Sequence, residues 1–187
     1  VIAAMGRQAS TEGLFEGFDH VETDKGAVIV NENFQTSVEN IYAIGDCVKG
    51  SIQLAHTASA EGMNAVSHMA GEEPVVDLKT VPSCIYTDPE IASVGISQDE
   101  AKELGIPVET GKYVMSGNAK TMLSHMERSF IKVVFHAETH VILGAQLMCA
   151  RATDMVGELS TAISNKLTIS QLSQVIRPHP TFVEGVT

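Results

Sequence analysis

No run of lysine or arginine occurs anywhere in this chain. Acidic side chains outnumber basic ones 23 to 12, for a formal net charge of -11. An acidic chain without a basic patch argues against nucleic acid or an anionic membrane as partner. No apolar stretch is long enough to span a bilayer, and no signal peptide opens the chain. Cysteine is scarce. Cys47, Cys84 and Cys149 are odd in number and widely spaced, with no CxxC and no metal-ligand pattern. The expectation is three buried or idle thiols in a reducing compartment, the cytoplasm. His20, His125, His136 and His140 show no ligand spacing either, so no metal site is assigned. Repeats and low-complexity tracts are also missing. The chain opens inside an apolar run, Val1-Ile2-Ala3-Ala4-Met5, and stops at Thr187 within a helix-start signal. Both ends are therefore expected to be cut from something longer.

What is present suffices for one complete domain plus part of another: 187 residues, 44% of them apolar. Val1 to Met5 reads as a buried strand. Asp24-Lys25-Gly26 is a turn signal before the β-branched run Ala27 to Val30, and Ile41 to Ile44 is a second short strand closed by Gly45-Asp46. From Leu54 to Met69 the pattern becomes helical, stopping at Gly71, with Ala55, Ala58 and Gly62 on one side. Small residues there let a helix lie close against a sheet or a ligand. Glu72-Glu73-Pro74 breaks the pattern and divides the chain into 1-73 and 74-187. Beyond it, Val81 to Tyr86 and Ile91 to Gly95 read as strands around Asp88-Pro89. Ser97-x-x-Glu100 is a capping box, and Lys112 to Ser116 is extended. Phe130 to Phe135 and Val141 to Met148 form a hairpin. Thr153 to Asn165 is helical, and Thr168-x-x-Gln171 caps another helix. Strands followed by helices, without strict alternation, indicate an α+β domain on an antiparallel sheet.

Two stretches carry candidate chemistry. In His179-Pro180-Thr181-Phe182-Val183-Glu184 the following proline pushes the histidine out of the helical region. Glu184 can then reach back, and a carboxylate on one ring nitrogen fixes the tautomer that acid/base work requires. Thr181-x-x-Glu184 is equally a capping box that satisfies backbone donors. Ile41 to Asp46 delivers Gly-Asp at a strand end, where layered α/β domains bind ligands. A plain turn, with Asp46 capping the next helix, explains it as well. Spacing leaves both questions open.

HPTxxE near the C-terminus, with IYAIGD and LAH upstream, resembles the flavin-dependent pyridine nucleotide-disulfide oxidoreductases. The resemblance covers nearly the whole sequence, but only the C-terminal part of such an enzyme. It implies an α+β interface (dimerisation) domain with an antiparallel sheet and helices, preceded by the tail of an α/β FAD-binding domain. It further implies that Asp46 binds the FAD ribitol, that Leu54-Ala55-His56 lie against the flavin with Gln53 beside them, and that Gly6 approaches NAD. The segment from Gly50 to Gln53 is one residue longer than the family pattern, which loosens the register of Gln53. His179 is expected to act across a homodimer as base on a thiol substrate, with Glu184 supporting it. Pro89-Glu90-Ile91-Ala92-Ser93-Val94-Gly95 is closest to the lipoamide dehydrogenase branch, whose partner is the lipoyl domain of a 2-oxo acid dehydrogenase or glycine cleavage complex. Another branch, with glutathione-like or metal substrates, is the alternative, as is a purely dimerising module. The family's CxxxxC pair and GxGxxG loops do not occur within these residues, so the chain alone is expected to bind neither FAD nor NAD and to be inactive. Arg177 stands where lipoamide dehydrogenases often carry a second histidine.

Overall fold

The computed structural model describes residues 1–17, 20–125 and 129–187. The chain divides into two compact units, Val1–Leu78 and Lys79–Thr187.

In the first unit Lys25 and Gly26 both hold positive φ, 52° and 84°, the backbone twist that suits a two-residue hairpin turn. They join β1 (Thr23–Asp24) to β2 (Ala27–Val28), with Thr23 opposite Val28. The β-branched run suggested a strand reaching Val30, but β2 stops at Val28. Past it the Ile29 N–H turns back to the Glu22 carbonyl. Val1 to Met5 is not a strand, and Val1, Ile2 and Met5 are exposed. β propensity needs a neighbour to pair the backbone N–H and C=O groups, and none of the described strands pairs with this segment. Ile41 to Ile44 likewise contributes only one bridge, Tyr42 to Gln35. A 3₁₀ turn comes next at Gly45–Cys47.

Helix α1 (Ala55–Met69) begins after an extended Leu54 and ends before Gly71, whose φ is 76°. Its small-residue face lies on the Ile44–Gly45 turn. A Cβ on Gly45 would stand 3.0 Å from the Ala58 Cβ, and one on Gly62 would stand 3.2 Å from Ile44 Cδ1. Asn64, buried on the same helix, pins the segment after it. Its amide donates to the Val76 carbonyl and accepts the Val76 N–H, both at 2.9 Å.

The second unit is a five-stranded sheet, antiparallel throughout. In spatial order it runs β3 (Ser83–Ile85), β4 (Ile91–Gly95), β7 (Ile142–Met148), β6 (Phe130–His136) and β5 (Val108–Val114). β3 is shorter than the Val81 to Tyr86 run. β5 starts four residues before Lys112 and stops at Val114, and Met115–Gly117 is a 3₁₀ turn. Polar residues hide an edge strand from a hydrophobic scan, and pairing with β6 from Val108↔His136 to Val114↔Phe130 sets its length. Leu143 is an extra residue in β7, since Val134 faces Gly144 while Phe135 faces Ile142. Beside this bulge Gly95 and Gly144 face each other. A Cβ on either would fall about 2 Å from a backbone oxygen: 2.1 Å from Leu143 O and 1.9 Å from Ile96 O.

Among the described residues four helices complete the unit: α2 (Gln98–Glu103), α3 (Ala119–Leu123), α4 (Ala152–Ser164) and α5 (Ile169–Ser173). The boxes at Ser97/Glu100 and Thr168/Gln171 both form in full. α4 packs Ala152, Met155, Val156, Leu159 and Ala162 onto Ala92, Val94, Ile131, Ala145 and Leu147. All five of these helix residues are buried. Glu90, just before β4, caps α4 from across the domain. Its Oε2 accepts the Thr153 N–H at 2.9 Å and hydroxyl at 2.7 Å, and these bonds hold its carboxyl below the ordinary value. On the other sheet face Ile85, Ile91, Met148, Phe130 and Val114 stand directly opposite one another. This unbroken apolar row crosses all five strands, and none of it belongs to the core.

Candidate functional site

Two prolines flank His179 and keep it off any helix, on the connection between α5 and a 3₁₀ turn at Val183–Val186. Its side chain is 69% exposed, and its Nδ1 lies 2.9 Å from Glu184 Oε1. The other carboxylate oxygen, Oε2, accepts the Thr181 N–H at 2.8 Å. These two contacts, the backbone one first, hold the Glu184 carboxyl below its ordinary value. It is therefore ionised at neutral pH and can only accept, so Nδ1 is the donor in this contact, and it is Nε2 that bears the lone pair whenever the ring is neutral. The capping reading is half realised. Glu184 takes the Thr181 N–H, but the Thr181 hydroxyl donates to the Pro178 carbonyl at 2.7 Å and caps nothing. One carboxylate serves both backbone and imidazole.

Two buried polar groups hold this segment, and neither was legible as functional. Asn118 donates its Nδ2 to the Thr181 carbonyl at 2.9 Å while its Oδ1 caps α3 at Thr121. Arg177 is the larger surprise. Its side chain is only 4% exposed and pairs with Glu158 of α4 at 2.5 Å. It also donates to Leu172 O, Val175 O and Thr187 Oγ1. It is an anchor, with its NH1 and NH2 groups engaged by protein. A lone arginine between α5 and a proline carries no sequence signal of that role.

The second candidate lies in the first unit. Asp46 is exposed on the 3₁₀ turn after buried Gly45, whose φ of 73° favours glycine. Gln53, Ala55 and His56 are exposed at the start of α1, and Leu54 supplies no side-chain cap there. Beneath them Glu61 is 4% exposed. Its Oε2 accepts the Gly45 N–H and its Oε1 the Ser51 hydroxyl, each at 2.6 Å. Sequence reasoning missed Glu61, because glutamates on helices are ordinarily solvated and no motif marks a buried one. Gly6, with φ 75° and open space around its Cβ position, lies in the irregular N-terminal segment away from any described partner. Burial pushes the Cys149 thiol up to about 11, and Cys84 is raised by burial and then by Glu90 and Asp154. Both thiols are protonated at neutral pH.

Against known proteins, the description "Pyridine nucleotide-disulphide oxidoreductase, dimerisation domain" matches residues 81–187, and "Pyridine nucleotide-disulphide oxidoreductase" matches residues 1–62. A dihydrolipoyl dehydrogenase of Bacillus subtilis is 40% identical across 100% of this chain and 39% of its own length. The mitochondrial dihydrolipoyl dehydrogenase of Pisum sativum is 35% identical, across 100% of this chain and 37% of its own. The crystal structure of LpdA from Mycobacterium tuberculosis superposes with a TM-score of 0.88 at 26% identity, covering 96% of this chain and 39% of that one. The chain thus spans about two fifths of the length of the curated relatives it matches. With one family description covering Val81 to Thr187, the whole five-stranded sheet included, and a second covering the segment before it, the chain belongs to the pyridine nucleotide-disulphide oxidoreductase family.

Proposed function

We propose that the protein this chain belongs to is a dihydrolipoyl dehydrogenase, which oxidises protein-bound dihydrolipoamide with NAD by way of FAD and a redox disulfide. The observation that carries the reading is the His179–Glu184 pair, exposed and in the tautomer of a base. His179 Nε2 takes the proton of a substrate thiol. The thiolate so formed attacks the disulfide of the partner subunit, making one sulfur–sulfur bond as another breaks and releasing a cysteine thiolate. Glu184 holds the ring and offsets the charge of the imidazolium while the proton rests there. Arg177 adds no second base, because its guanidinium is bound up with Glu158 and backbone carbonyls.

FAD, when bound, supplies electron transfer between the disulfide and NAD. The first unit fits that group. Asp46 presents a free-standing acceptor for two hydroxyls, and the start of α1 offers backbone N–H groups without a side-chain cap. Gln53, Leu54, Ala55 and His56 line that start, and Gly6 is assigned to the approach of NAD. The remaining parts of this reading are a homodimer that brings His179 to its partner's disulfide, a lipoyl domain as substrate carrier, and the cytoplasm as compartment. The dimer has support in the apolar row on the open sheet face, and the compartment in three unpaired cysteines. No helix of the described residues is long and apolar enough to cross a membrane.

His179→Gln in the full-length enzyme is expected to slow the half-reaction with dihydrolipoamide by roughly 100- to 10,000-fold. Flavin reduction by NADH should stay near wild type, and Glu184→Gln should change the rate in the same direction with a smaller loss. Stopped-flow measurement of the two half-reactions checks this. A thiol half-reaction within a few-fold of wild type, a change of about 1 kcal/mol in barrier, overturns the assignment.

A further inference from the structure

Glu61 is a carboxylate with 4% of its surface exposed, and among the described residues it forms no ion pair with a cation. Burying such a group is costly unless hydrogen bonds replace water. Here two do, and they come from separate places: the Gly45 N–H immediately before Asp46, and the hydroxyl of Ser51, two residues before Gln53. Both distances are 2.6 Å. The two oxygens of one side chain thereby join the two wall segments of the candidate cofactor site. The Ser51–Glu61 bond ties the stretch just before Gln53 to α1. The remaining restraints point the same way. Gly45 is held against Ala58 at 3.0 Å from its Cβ position, and Gly62 against Ile44. α1 therefore carries the carboxylate at a fixed depth beneath the turn.

We infer that Glu61 is a positioning residue for the flavin site, setting Asp46 and the Gln53–His56 segment in one register before a ligand arrives. The inference rests on the FAD assignment made above, and it concerns binding, not electron transfer. It assigns no contact between Glu61 and the cofactor, since the carboxylate lies beneath the site and both oxygens are engaged.

The test uses full-length protein, deflavinated and titrated with FAD by fluorescence quenching, in wild type, Glu61→Gln, Ser51→Ala and the double variant. Each hydrogen bond to a charged group is worth a factor of about 10 or more. Ser51→Ala is therefore expected to weaken FAD about tenfold, and Glu61→Gln at least as much. The double variant should weaken binding by less than the product of the two single effects, because both changes act on the same link. The apoprotein of Ser51→Ala should melt a few degrees lower, because a buried Glu61 oxygen loses its partner, while Ser51→Thr, which keeps the hydroxyl, should bind FAD within about twofold of wild type. FAD affinities within twofold of wild type in both single variants overturn the inference and leave the cofactor assignment intact. FAD binding by Ser51→Thr as weak as that of Ser51→Ala overturns it too, because the hydroxyl link is then not what positions the site. A wild-type apoprotein that binds no FAD overturns the cofactor assignment itself, and this inference with it.

Discussion

Residues 79–187 and residues 1–78 are held together by different means. In the second unit fifteen buried apolar side chains, from Ala92 to Val186, form a single core between α4 and the sheet. In the first, Val28, Val48 and Ala65 are the buried apolar residues among those described. Its order rests on polar pins: Glu61 to Gly45 and Ser51, and Asn64 to Val76. A packed core loses stability in proportion to volume removed or added, and the loss spreads through neighbours. A polar pin fails locally, leaving a buried donor or acceptor unsatisfied. The two candidate sites divide along the same line. His179–Glu184 projects from a unit with its own core, whereas Asp46 and the start of α1 depend on one buried carboxylate.

The contrast can be tested at its strongest point in the second unit. Gly144→Ala puts a methyl group where 1.9 Å separates it from the Ile96 carbonyl oxygen, and that neighbour is backbone. A loss of about 4 kcal/mol or more is expected, read as insoluble protein or a collapsed urea midpoint. A variant less than about 1 kcal/mol below wild type would break the claim that the β4–β7 contact has no slack.

An intermediate effect sharpens the role of the open sheet face. The chain, of 20.0 kDa, is expected to sediment as a dimer at micromolar concentration. Val114→Lys, which charges one end of the apolar row at a side chain already 56% exposed, should weaken that dimer by about thirtyfold, near 2 kcal/mol, without lowering the melting temperature of the monomer. Sedimentation equilibrium over a dilution series decides it. Unchanged association means that another surface joins the copies.

The most local effect belongs to the first unit. Asn64→Ala removes both partners of Val76 and should cost roughly 1–3 kcal/mol. The loss should appear as faster amide exchange at Val76 and along α1, with the exchange of β6 and β7 unchanged. Equal acceleration in both units would mean that the two kinds of order are not separate.

Much of this was open to sequence reasoning. The helix at Ala55–Met69 and the boxes at Ser97 and Thr168 stand as expected because their signals are local: a helical period, a side-chain oxygen three residues before its donor, a glycine at the end. The hairpin of β6 and β7 is local too. Strand limits were not. Val1 to Met5 has strand composition without a pairing partner, and β5 has a partner without strand composition in its first residues. Strands are made by neighbours, and neighbours are not written in a window of ten residues.

By itself the sequence determined helices α1, α2, α4 and α5, whose periods and caps are local, while α3 carried no signal, and it offered His179, Glu184 and Asp46 among the candidates for chemistry. Only tertiary structure decided what those side chains rest on. Arg177 lies nineteen residues from Glu158, Asn118 lies 63 from Thr181, and Glu61 lies sixteen from Gly45 and ten from Ser51. No periodicity links such pairs. Each is a buried polar group satisfied across a gap in the chain, and the partner that satisfies it is chosen by packing, since a buried donor or acceptor must be met wherever the fold leaves it.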